Sequence, residues 1–511
     1  MDNRGKKTAG IDGVKSLTPF QRLNLVQKLT LDRRASSVRR VWIDKPGKTE
    51  KRPLGIPTMH DRALQCLVKL AIEPEWEARF ESNSYGFRPG RSCHDAIVAI
   101  HTAINQKPKW VLDADIAQCF DRINHTALLN KLNTFPAMRQ QVKSWLKAGV
   151  VDFASWSNRK GKKYHPTTEG TPQGGICSPL LANIALHGLE TKLLQFIETV
   201  SLRTPAGKIM PKVDRRKSLG VIRYADDFVV LHQHREIVQK CQLLVNEWLA
   251  QIGLELKPSK TRLSHTLHPT DEGHVGFDFL GFNVRQFKVG KYTSKRGYKT
   301  IITPSANALK AHSRKVGDII ERHKNAPKVA LISKLKPVIR GWCNYHRACS
   351  AKKTFVKTDF ITYQQLRGWA MFRHSTNQCR RHKADGEWVK KLSPLTGKLR
   401  RSFCVGELEL GCHSDTKIVR HTKVQGMKSP YDGDWVYWSK RRGYYPGVKT
   451  TVSQLLRHQQ GKCSHCSLYF GSDDLLEVHH QDGNCQNNCR NNLTLVHRHC
   501  HDQLHAVGNT N

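Results

Sequence analysis

The spacing of apolar and polar positions divides the chain into a mixed region followed by a helical one. Short apolar runs predict strands or extended segments at Val38 to Ile43, Arg52 to Pro57, Trp110 to Ile116 and Phe277 to Val284. Val221 to Leu231 has the pattern of a hairpin, Asp61 to Phe80 has helical periodicity, and Ser305 to Asp385 is helical. The mixture predicts a multidomain α+β fold.

The composition adds a strong positive charge to this picture. The 511 residues include 84 Lys or Arg against 42 Asp or Glu, a formal net charge of +42. Basic residues placed against phosphates release condensed counterions, so an excess of this size predicts a polyanionic partner. Interleaved aromatic residues favour nucleic acid over a merely soluble, charged surface. The chain has no apolar run of transmembrane length, so we expect no membrane partner.

Two adjacent carboxylates, Asp226 and Asp227, lie in a short turn between apolar strands. Two ionised Asp side by side repel each other, and divalent cations between them would remove the repulsion. A second apolar strand ends at Asp115. If the strands are neighbours, three carboxylates meet in the arrangement that holds two Mg²⁺ for phosphoryl transfer. For the Asp pair alone, two unrelated surface turns would be the better interpretation.

A series of further motifs in order settles that choice, and with them nearly the whole chain resembles group II intron-encoded reverse transcriptases. The motifs are Gly10-Ile11-Asp12-Gly13, Arg52-Pro53-Leu54-Gly55-Ile56-Pro57, Tyr85-Gly86-Phe87-Arg88-Pro89-Gly90-Arg91-Ser92, Asp115 with Phe120-Asp121, Gly170-Thr171-Pro172-Gln173-Gly174-Gly175, Tyr224-Ala225-Asp226-Asp227, Leu256-Lys257-Pro258-Ser259-Lys260-Thr261 and Phe279-Leu280-Gly281-Phe282. The family usually carries an extension before the Gly10 motif, and we expect it to be absent or very short here.

The resemblance implies a right-hand polymerase fold and a role for each matching residue. The two Mg²⁺ would be held by Asp115, Asp226 and Asp227, with help from the Ile116 carbonyl. Substrate contacts would come from Arg52 and Arg88 on nucleotide phosphates, Phe120 excluding a ribose 2′-hydroxyl, Gln173 and Gly174 along nucleotide and template, and Lys260 at the leaving group. Phe120 as plain core and Arg88 as a structural ion-pair residue remain open. Asp113 and Asp121 are expected to be structural.

The region after the polymerase motifs corresponds to the thumb, or maturase domain, of the family. From Ser305 to Asp385 it holds 18 Lys or Arg against 4 Asp or Glu. Basic helices with interleaved aromatic residues suit an RNA or heteroduplex backbone.

Paired Cys and His residues near the C-terminus predict a structural zinc site. Cys463 and Cys466 form one pair, and His497 and Cys500 form a second with the same spacing. A unit this short has little core, so the metal would supply much of its folding energy. The pair Cys485 and Cys489 is a rival for the second position.

Between and after these pairs, the sequence resembles HNH endonucleases, which have a ββα fold and use one divalent ion such as Mg²⁺. The resemblance implies that His480 is the general base, that His479, His501 and His505 bind the ion, that Asn492 holds the hairpin and that Glu477 orients a ligand histidine. The alternative is a zinc-stapled DNA-binding module without cleavage. Metal preference stays open, because His479 stands where Asp is usual in that family.

These observations predict a multifunctional protein: an RNA-directed DNA polymerase, a splicing maturase and an HNH DNA endonuclease. The expected domains are fingers and palm (1–304), helical thumb or maturase domain (305–388), a DNA-binding region (389–452) and a zinc-stapled HNH domain (453–511). Expected partners are intron RNA, target DNA and deoxynucleoside triphosphates. Scattered cysteines in the first half suit a reducing compartment, the bacterial cytoplasm or nucleoid, with an organellar matrix as the alternative. A splicing-only protein with a relict polymerase and a retron-type enzyme are the rival functions.

Overall fold

The computed structural model describes residues 8–44, 50–153, 162–271, 273–374, 380–471 and 473–507. It divides into two compact units. The first comprises Met1–Lys69, Asn83–Gly86 and Cys93–Lys423, and the second comprises Leu70–Ser82, Phe87–Ser92 and Val424–Asn511.

The N-terminal part of the first unit contains a four-stranded sheet. Its strands are β1 (Val38–Asp44), β2 (Lys51–Ile56), β4 (Val150–Phe153) and β5 (Lys162–His165), in the order β2-β1-β4-β5. Strand β1 pairs antiparallel with β2 and parallel with β4. Helices α1 (Pro19–Val26) and α2 (Met59–Arg79) flank it in sequence. The strands expected at Val38 and Arg52, and the helix expected from Asp61, are confirmed.

A second four-stranded sheet holds the two Asp-bearing segments. Its strands are β3 (Trp110–Asp115), β6 (Gly220–Tyr224), β7 (Asp227–His232) and β8 (Arg262–His265), in the antiparallel order β6-β7-β3-β8. The central strands are rich in Val and Leu and almost entirely buried, which suits a sheet covered on both faces. The helices of this region are α3 (Cys93–Ile104), α4 (Cys119–Arg122), α5 (His125–Leu132), α6 (Pro136–Lys147), α7 (Ser178–Leu186), α8 (Leu189–Thr199), α9 (Lys212–Ser218) and α10 (Arg235–Ala250).

The segment expected as one short strand at Phe277 to Val284 is two strands, which corrects the prediction. Strands β9 (Phe277–Phe279) and β10 (Phe282–Lys288) form a hairpin, and β11 (Tyr298–Pro304) completes a three-stranded sheet. The turn is made by Leu280 and Gly281, whose φ angles are +50° and +79°. Two successive positive φ values suit a tight hairpin turn, but Leu rarely adopts the first one, so Gly281 alone did not predict a turn here.

The segment expected to be helical, Ser305 to Asp385, contains four helices in its described part: α11 (Ala306–Arg322), α12 (Lys328–His346), α13 (Lys352–Arg373) and α14 (Arg380–Asp385). It occupies the place where the thumb is expected. Ser305 begins α11 by accepting a hydrogen bond from the Ala308 amide. A small sheet follows, with strands β12 (Trp388–Leu392), β13 (Leu399–Val405) and β14 (Leu408–Glu409). Its residues Phe403 and Leu410 share one hydrophobic core with the thumb helices. The sheet therefore extends the thumb.

The second unit contains the Cys/His-rich segment. Helices α15 (Trp435–Arg442) and α16 (Thr450–His458) precede a ββα arrangement of β15 (Leu476–His480), β16 (Leu493–His497) and α17 (Arg498–Val507). Leu455 and Leu456 of α16 share a core with Leu495 and Val496 of β16. The C-terminal segment of this unit begins at Val424, so the region expected as 389–452 is split between the two units. No described helix combines the length and apolarity needed to cross a membrane.

Candidate functional site

The three candidate metal-binding carboxylates meet at one end of the sheet that contains β3 and β7. Asp115, the last residue of β3, lies directly opposite Asp227, the first residue of β7. Asp226 lies in the turn before β7, and its carbonyl accepts a hydrogen bond of 3.3 Å from the Ile116 amide. Backbone pairing therefore fixes the relative positions of all three residues. The juxtaposition expected from the sequence is present in the structure.

The turn between β6 and β7 is held by the side chains of Arg223 and Asn183, which were not predicted to be functional from the sequence. Ala225 has a φ of +59°. The Arg223 guanidinium donates to the Ala225 carbonyl (3.1 Å) and to the Asn183 side chain (3.1 Å). Asn183 in turn donates to the Gly86 carbonyl (2.8 Å). A buried network thus holds a strained turn, and Arg223 and Asn183 are positioning residues for the carboxylates.

The electrostatics of the carboxylate cluster favour a bound cation. Burial, reinforced by the charges of Asp226 and Asp115, raises the pKa of Asp227 to about 7. Burial also raises the pKa of Asp226, with Asp115 adding to the effect. The carboxyl groups of Asp226 and Asp227 therefore resist ionisation in the absence of a cation. Divalent cations prefer carboxylate oxygens and would favour their ionised forms, so the cluster fits a Mg²⁺ site.

Two basic side chains lie beside the cluster. The Lys260 ammonium donates to an Asp115 carboxylate oxygen. Partial burial would lower the pKa of Lys260, but this hydrogen bond and the charges of the Asp residues outweigh it and raise the pKa. Arg52 is exposed on β2, and its charge acts on Asp226 to lower the pKa of that carboxyl. Both basic residues therefore lie where a triphosphate at the cluster would need positive charge.

The loop that contains Gln173 and Gly174 packs against β2. The Gln173 carbonyl accepts a hydrogen bond of 2.6 Å from the Gly55 amide. Gly174 has a φ of +117°, and a Cβ there would lie 2.7 Å from the Gly55 carbonyl oxygen, so only glycine fits. The Gln173 side chain donates to Asp121, and both residues line a cleft of about 380 Å³ with half-buried Phe120. Asp121 thus positions Gln173, in keeping with a structural role.

Arg88 occupies a different environment from the other candidate substrate contacts. It belongs to the second unit, and its side chain is fully buried. Its guanidinium donates to both carboxylate oxygens of Glu77, at 2.9–3.1 Å, and to the Glu81 carbonyl at 2.8 Å. A guanidinium engaged in this way is held inside the protein. The geometry favours the ion-pair alternative over the expected phosphate contact.

Asp113 is a further acidic residue beside the cluster. It lies on β3 opposite Arg262 and lines a cavity of about 220 Å³ with Asp115, Asp227 and Lys260. Burial and the charge of Asp278 raise its pKa to about 7. The alternation of side chains along β3 could have placed Asp113 on the same face as Asp115. Asp278 could not have been found this way, because it lies on a strand far away in sequence.

The four candidate zinc ligands form one cluster. The ligand atoms of Cys463, Cys466, His497 and Cys500 all lie within 4.8 Å of one another. A tetrahedral zinc site with bonds of about 2.3 Å requires separations of about 3.8 Å, so small adjustments suffice. Asp474 lies 3.3 Å from His497 Nε2 and leaves Nδ1, which is 3.4 Å from the Cys466 sulfur, to face the cluster.

The rival pair lies outside this cluster. Cys485 and Cys489 are exposed, and neither belongs to a potential metal-binding group among the described residues. Burial raises the pKa of the Cys500 thiol to about 12, and the hydrogen bonds that this thiol donates to the Cys466 and Cys463 sulfurs add to the effect. A bound cation would stabilise the thiolate form of these cysteines, as expected for a set of zinc ligands.

A second cluster contains His479, His501 and His505, whose ligand atoms also lie within 4.8 Å of one another. His501 and His505 are one turn apart on α17, with their Nε2 atoms 3.2 Å apart, and His479 comes from β15. Burial lowers the pKa of His479, and the neighbouring histidines add to the effect. Neutral imidazoles in this arrangement can bind a divalent ion.

The supporting residues of this region differ in what they contact. Asn492 accepts a hydrogen bond from the Asp482 amide (2.9 Å) and donates to the Asp482 carboxylate (2.8 Å), which closes the loop between β15 and β16. Glu477 is exposed, and no hydrogen bond or ion pair involves its carboxylate in the part of the chain that is described. Asn492 therefore holds the hairpin as expected, whereas no contact joins Glu477 to a ligand histidine.

Comparison with known families agrees with this geometry. Residues 43–284 match the family described as "Reverse transcriptase (RNA-dependent DNA polymerase)", and residues 309–388 match "Group II intron, maturase-specific domain". The chain is homologous to group II intron-encoded proteins. The expected reverse transcriptase and maturase domains are thereby confirmed at the level of the family. Both matches end before β13, so the C-terminal unit is interpreted from its own residues.

Several known proteins are similar in sequence to this chain. The group II intron-encoded protein LtrA of Lactococcus lactis subsp. cremoris is 32% identical over 312 residues, which cover 51% of this chain and 49% of LtrA. Protein YkfC of Escherichia coli is 29% identical over 331 residues, covering 59% of this chain and 82% of YkfC. The chain thus spans about half the length of LtrA. A solved structure of telomerase from Candida tropicalis aligns over 49% of this chain and 53% of its own, with 14% identity and a TM-score of 0.35.

Proposed function

We propose that this protein is an RNA-directed DNA polymerase of the group II intron type, whose two Mg²⁺ are held by Asp115, Asp226 and Asp227. The observation that carries the proposal is the direct pairing of Asp115 with Asp227, with Asp226 fixed in the adjoining turn. Folding alone gains nothing from three converging carboxylates, and the raised pKa values of Asp226 and Asp227 express that cost. The homology to reverse transcriptases supports the same conclusion.

The residues around the cluster would bind and orient a deoxynucleoside triphosphate. Bound Mg²⁺ would supply charge neutralisation for the attacking 3′-hydroxyl and the departing pyrophosphate. Lys260, already charged and near Asp115, would neutralise or protonate the pyrophosphate, and Arg52 would bind phosphate oxygens. Phe120, half-buried in the cleft beside Gln173, would leave no room for a 2′-hydroxyl. The strained Gly174 backbone would let the template approach closely.

Primer extension tests the polymerase proposal. A DNA primer on an RNA template should be extended with Mg²⁺, and Asp226→Asn should lose at least about a thousandfold in rate, because metal stabilisation of the transition state is worth several kcal/mol. Asp214→Asn serves as the control, since Asp214 is exposed on α9. Extension by Asp226→Asn at the parental rate would exclude this site. RNA binding by a parent protein that extends nothing would favour the splicing-only alternative.

The thumb is proposed to bind intron RNA and aid splicing. The match to the maturase-specific domain covers α11 to α13, and this region is strongly basic. Exposed basic side chains on helices suit phosphate contacts. Restored splicing of a group II intron by the protein, with Asp226→Asn as active as the parent, would separate this function from polymerisation.

For the C-terminal unit we propose zinc-dependent folding and HNH-type cleavage of target DNA. The ββα arrangement, the Cys/His cluster and the separate cluster of three histidines support this. A divalent ion at His479, His501 and His505 would polarise the scissile phosphate. His480 would take a proton from the attacking water, and its Nε2 atom has no hydrogen-bond partner among the described residues.

Nicking of supercoiled plasmid with Mg²⁺ or Mn²⁺ tests this activity. His480→Ala should abolish nicking but keep DNA binding, whereas His458→Ala, which changes an exposed histidine at the end of α16, should have no effect. Binding of DNA without any cleavage by the parent, with either ion, would favour a zinc-stapled binding module. Equal nicking by His480→Ala would remove that residue from the role of general base.

A further inference from the structure

The small sheet β12–β14 presents one face whose two ends differ in character. At one end, Trp388 lies opposite Phe403, and both rings pack into the core shared with the thumb helices. Toward the other end of the same face, Lys390 lies opposite Arg401, and then Leu392 lies opposite Leu399. Both leucines are about two-thirds exposed, at 65% and 67%. The sheet is therefore anchored to the thumb and leaves charged and apolar side chains uncovered.

A cavity of about 260 Å³ opens between this sheet and helix α13. Phe360, Tyr363 and Trp388 line it, with the Tyr363 and Trp388 rings 5.1 Å apart. Phe360 is 63% exposed, so it adds little to the core. The volume lies just under the range of about 300–1,000 Å³ typical of ligand pockets, so the cavity suits one flat group such as a nucleobase. Exposed aromatic faces are the usual stacking platforms for unpaired bases.

Two positive charges without acidic partners lie beside the cavity, because Arg401 lines it and Lys390 is the strand partner of Arg401. Like charges directly opposite each other destabilise a strand pair, and among the described residues neither Lys390 nor Arg401 has an acidic partner. The neighbouring Arg400 is different, because its Nη2 donates to Glu409 (2.7 Å) and Asp415 (2.5 Å). A phosphate between Lys390 and Arg401 would remove the repulsion.

Arg400 also lines the cavity and has spare hydrogen-bonding capacity. Its Nε and Nη1 atoms are buried and have no hydrogen-bond partner within the described part of the chain. The cavity therefore combines an aromatic stacking surface with positively charged side chains beside it.

We propose that Phe360, Tyr363, Trp388, Lys390, Arg400 and Arg401, here called the thumb-sheet groove, bind an unpaired nucleotide of single-stranded RNA. The base stacks on Phe360, and the flanking phosphates lie against Lys390 and Arg401. RNA is preferred over DNA because the groove shares its core with the domain that matches the maturase family. The proposal rests on the proposed binding of intron RNA. It assigns part of that binding to the sheet β12–β14, which lies in the region that the sequence predicts to bind target DNA.

Binding of labelled oligouridylate to the full-length protein, followed by fluorescence anisotropy, tests the groove. Stacking on an aromatic ring is worth about 1–3 kcal/mol per base, so Phe360→Ala should weaken binding between about fivefold and about 150-fold. The double variant Lys390→Ala/Arg401→Ala should lower the slope of log affinity against log salt by about 1.4, as two lost phosphate contacts require. Iodouridine-substituted RNA should crosslink to the peptide that contains Phe360 and Tyr363.

Matched controls separate the groove from general charge and from the polymerase site. Tyr292→Ala removes a fully exposed ring, and Lys192→Ala/Lys240→Ala removes two exposed charges from α8 and α10. Both should bind oligouridylate like the parent. Asp226→Asn should also bind oligouridylate like the parent, since the groove contains none of the carboxylates.

The outcomes distinguish this inference from the broader function. Unchanged affinity and salt slope in both groove variants, while the parent binds oligouridylate, would overturn the groove alone. No binding of RNA by the parent at all would overturn the proposed function with it. Equal or tighter binding of oligodeoxyuridylate, lost in the same variants, would assign the groove to target DNA and contradict the RNA proposal.

Discussion

The turn that carries Asp226 and Asp227 should not tolerate a methyl group at Gly86. A Cβ at this position would lie 2.3 Å from the Ala225 amide nitrogen and 2.9 Å from the Tyr224 carbonyl carbon. Cβ atoms essentially never approach other heavy atoms within 3.0 Å, so Gly86→Ala must displace the turn or its own segment by at least about 0.7 Å. Both obstacles are backbone atoms, which cannot rotate away as a side chain would.

The displacement should cost more in catalysis than in stability. Overpacking of a buried site costs about 1–3 kcal/mol. A misplacement near 1 Å of catalytic groups can cost about a hundredfold in rate, so the maximal rate of primer extension by Gly86→Ala should fall by about tenfold to a hundredfold. The network of Arg223 and Asn183 should resist a compensating shift of the turn, since both residues are buried and hydrogen-bonded.

The assay is primer extension with saturating primer-template and nucleotide, together with thermal unfolding of the same samples. Gly368→Ala is the matched control, because a Cβ at this position of α13 meets nothing within 4 Å. Alanine should stabilise that helix by up to about 1 kcal/mol and leave the rate unchanged. Parental activity and unfolding temperature in Gly86→Ala would refute the argument that backbone contact fixes the turn.

Three further predictions concern stability. Burial and the charge of Lys109 lower the pKa of buried His232 to about 4, so the unfolded chain binds more protons than the folded protein between pH 6.5 and 4. In urea unfolding, the free energy of unfolding should fall by about 3 kcal/mol as the pH falls through this window, and by less in His232→Asn. Arg88→Met should lower the free energy of unfolding by about 3–5 kcal/mol, because it leaves the buried Glu77 carboxylate without its partner. A raised KM for nucleotide with unchanged stability would instead favour a phosphate contact by Arg88. Metal analysis should find one zinc per chain, and Cys463→Ser should lose it and expose the C-terminal unit to protease; full occupancy in this variant would exclude Cys463 as a ligand.

Sequence patterns predicted those elements whose apolar runs are long and regular. Strands β3, β6 and β7 carry continuous runs of Val, Leu and Ile, so both their positions and the carboxylates at their ends could be anticipated. Strands β12 and β13 escaped notice because Lys390, Lys391, Arg400 and Arg401 interrupt any apolar alternation. Their folding depends on packing against the thumb, which a local pattern does not contain.

The sequence predicts those site residues whose chemical type indicates their function. It does not predict those whose function depends on where the fold places them. Asp115, Asp226 and Asp227 stand out by their chemistry. Arg223 and Asn183 act through contacts between segments 40 residues apart, so no spacing rule identifies them. Arg88 shows the converse limit, because its motif left both a phosphate contact and a structural ion pair open, and only the tertiary contact with Glu77 favours the ion pair.

The strand order β6-β7-β3-β8 has a consequence for folding during synthesis. Strand β3 leaves the ribosome more than a hundred residues before β7, its partner in the carboxylate pair, and β8 follows later still. Until residue 232 has emerged, β3 has neither neighbour, and its apolar edges need protection from aggregation. A nascent chain stalled before that point should therefore bind chaperones and synthesise no DNA.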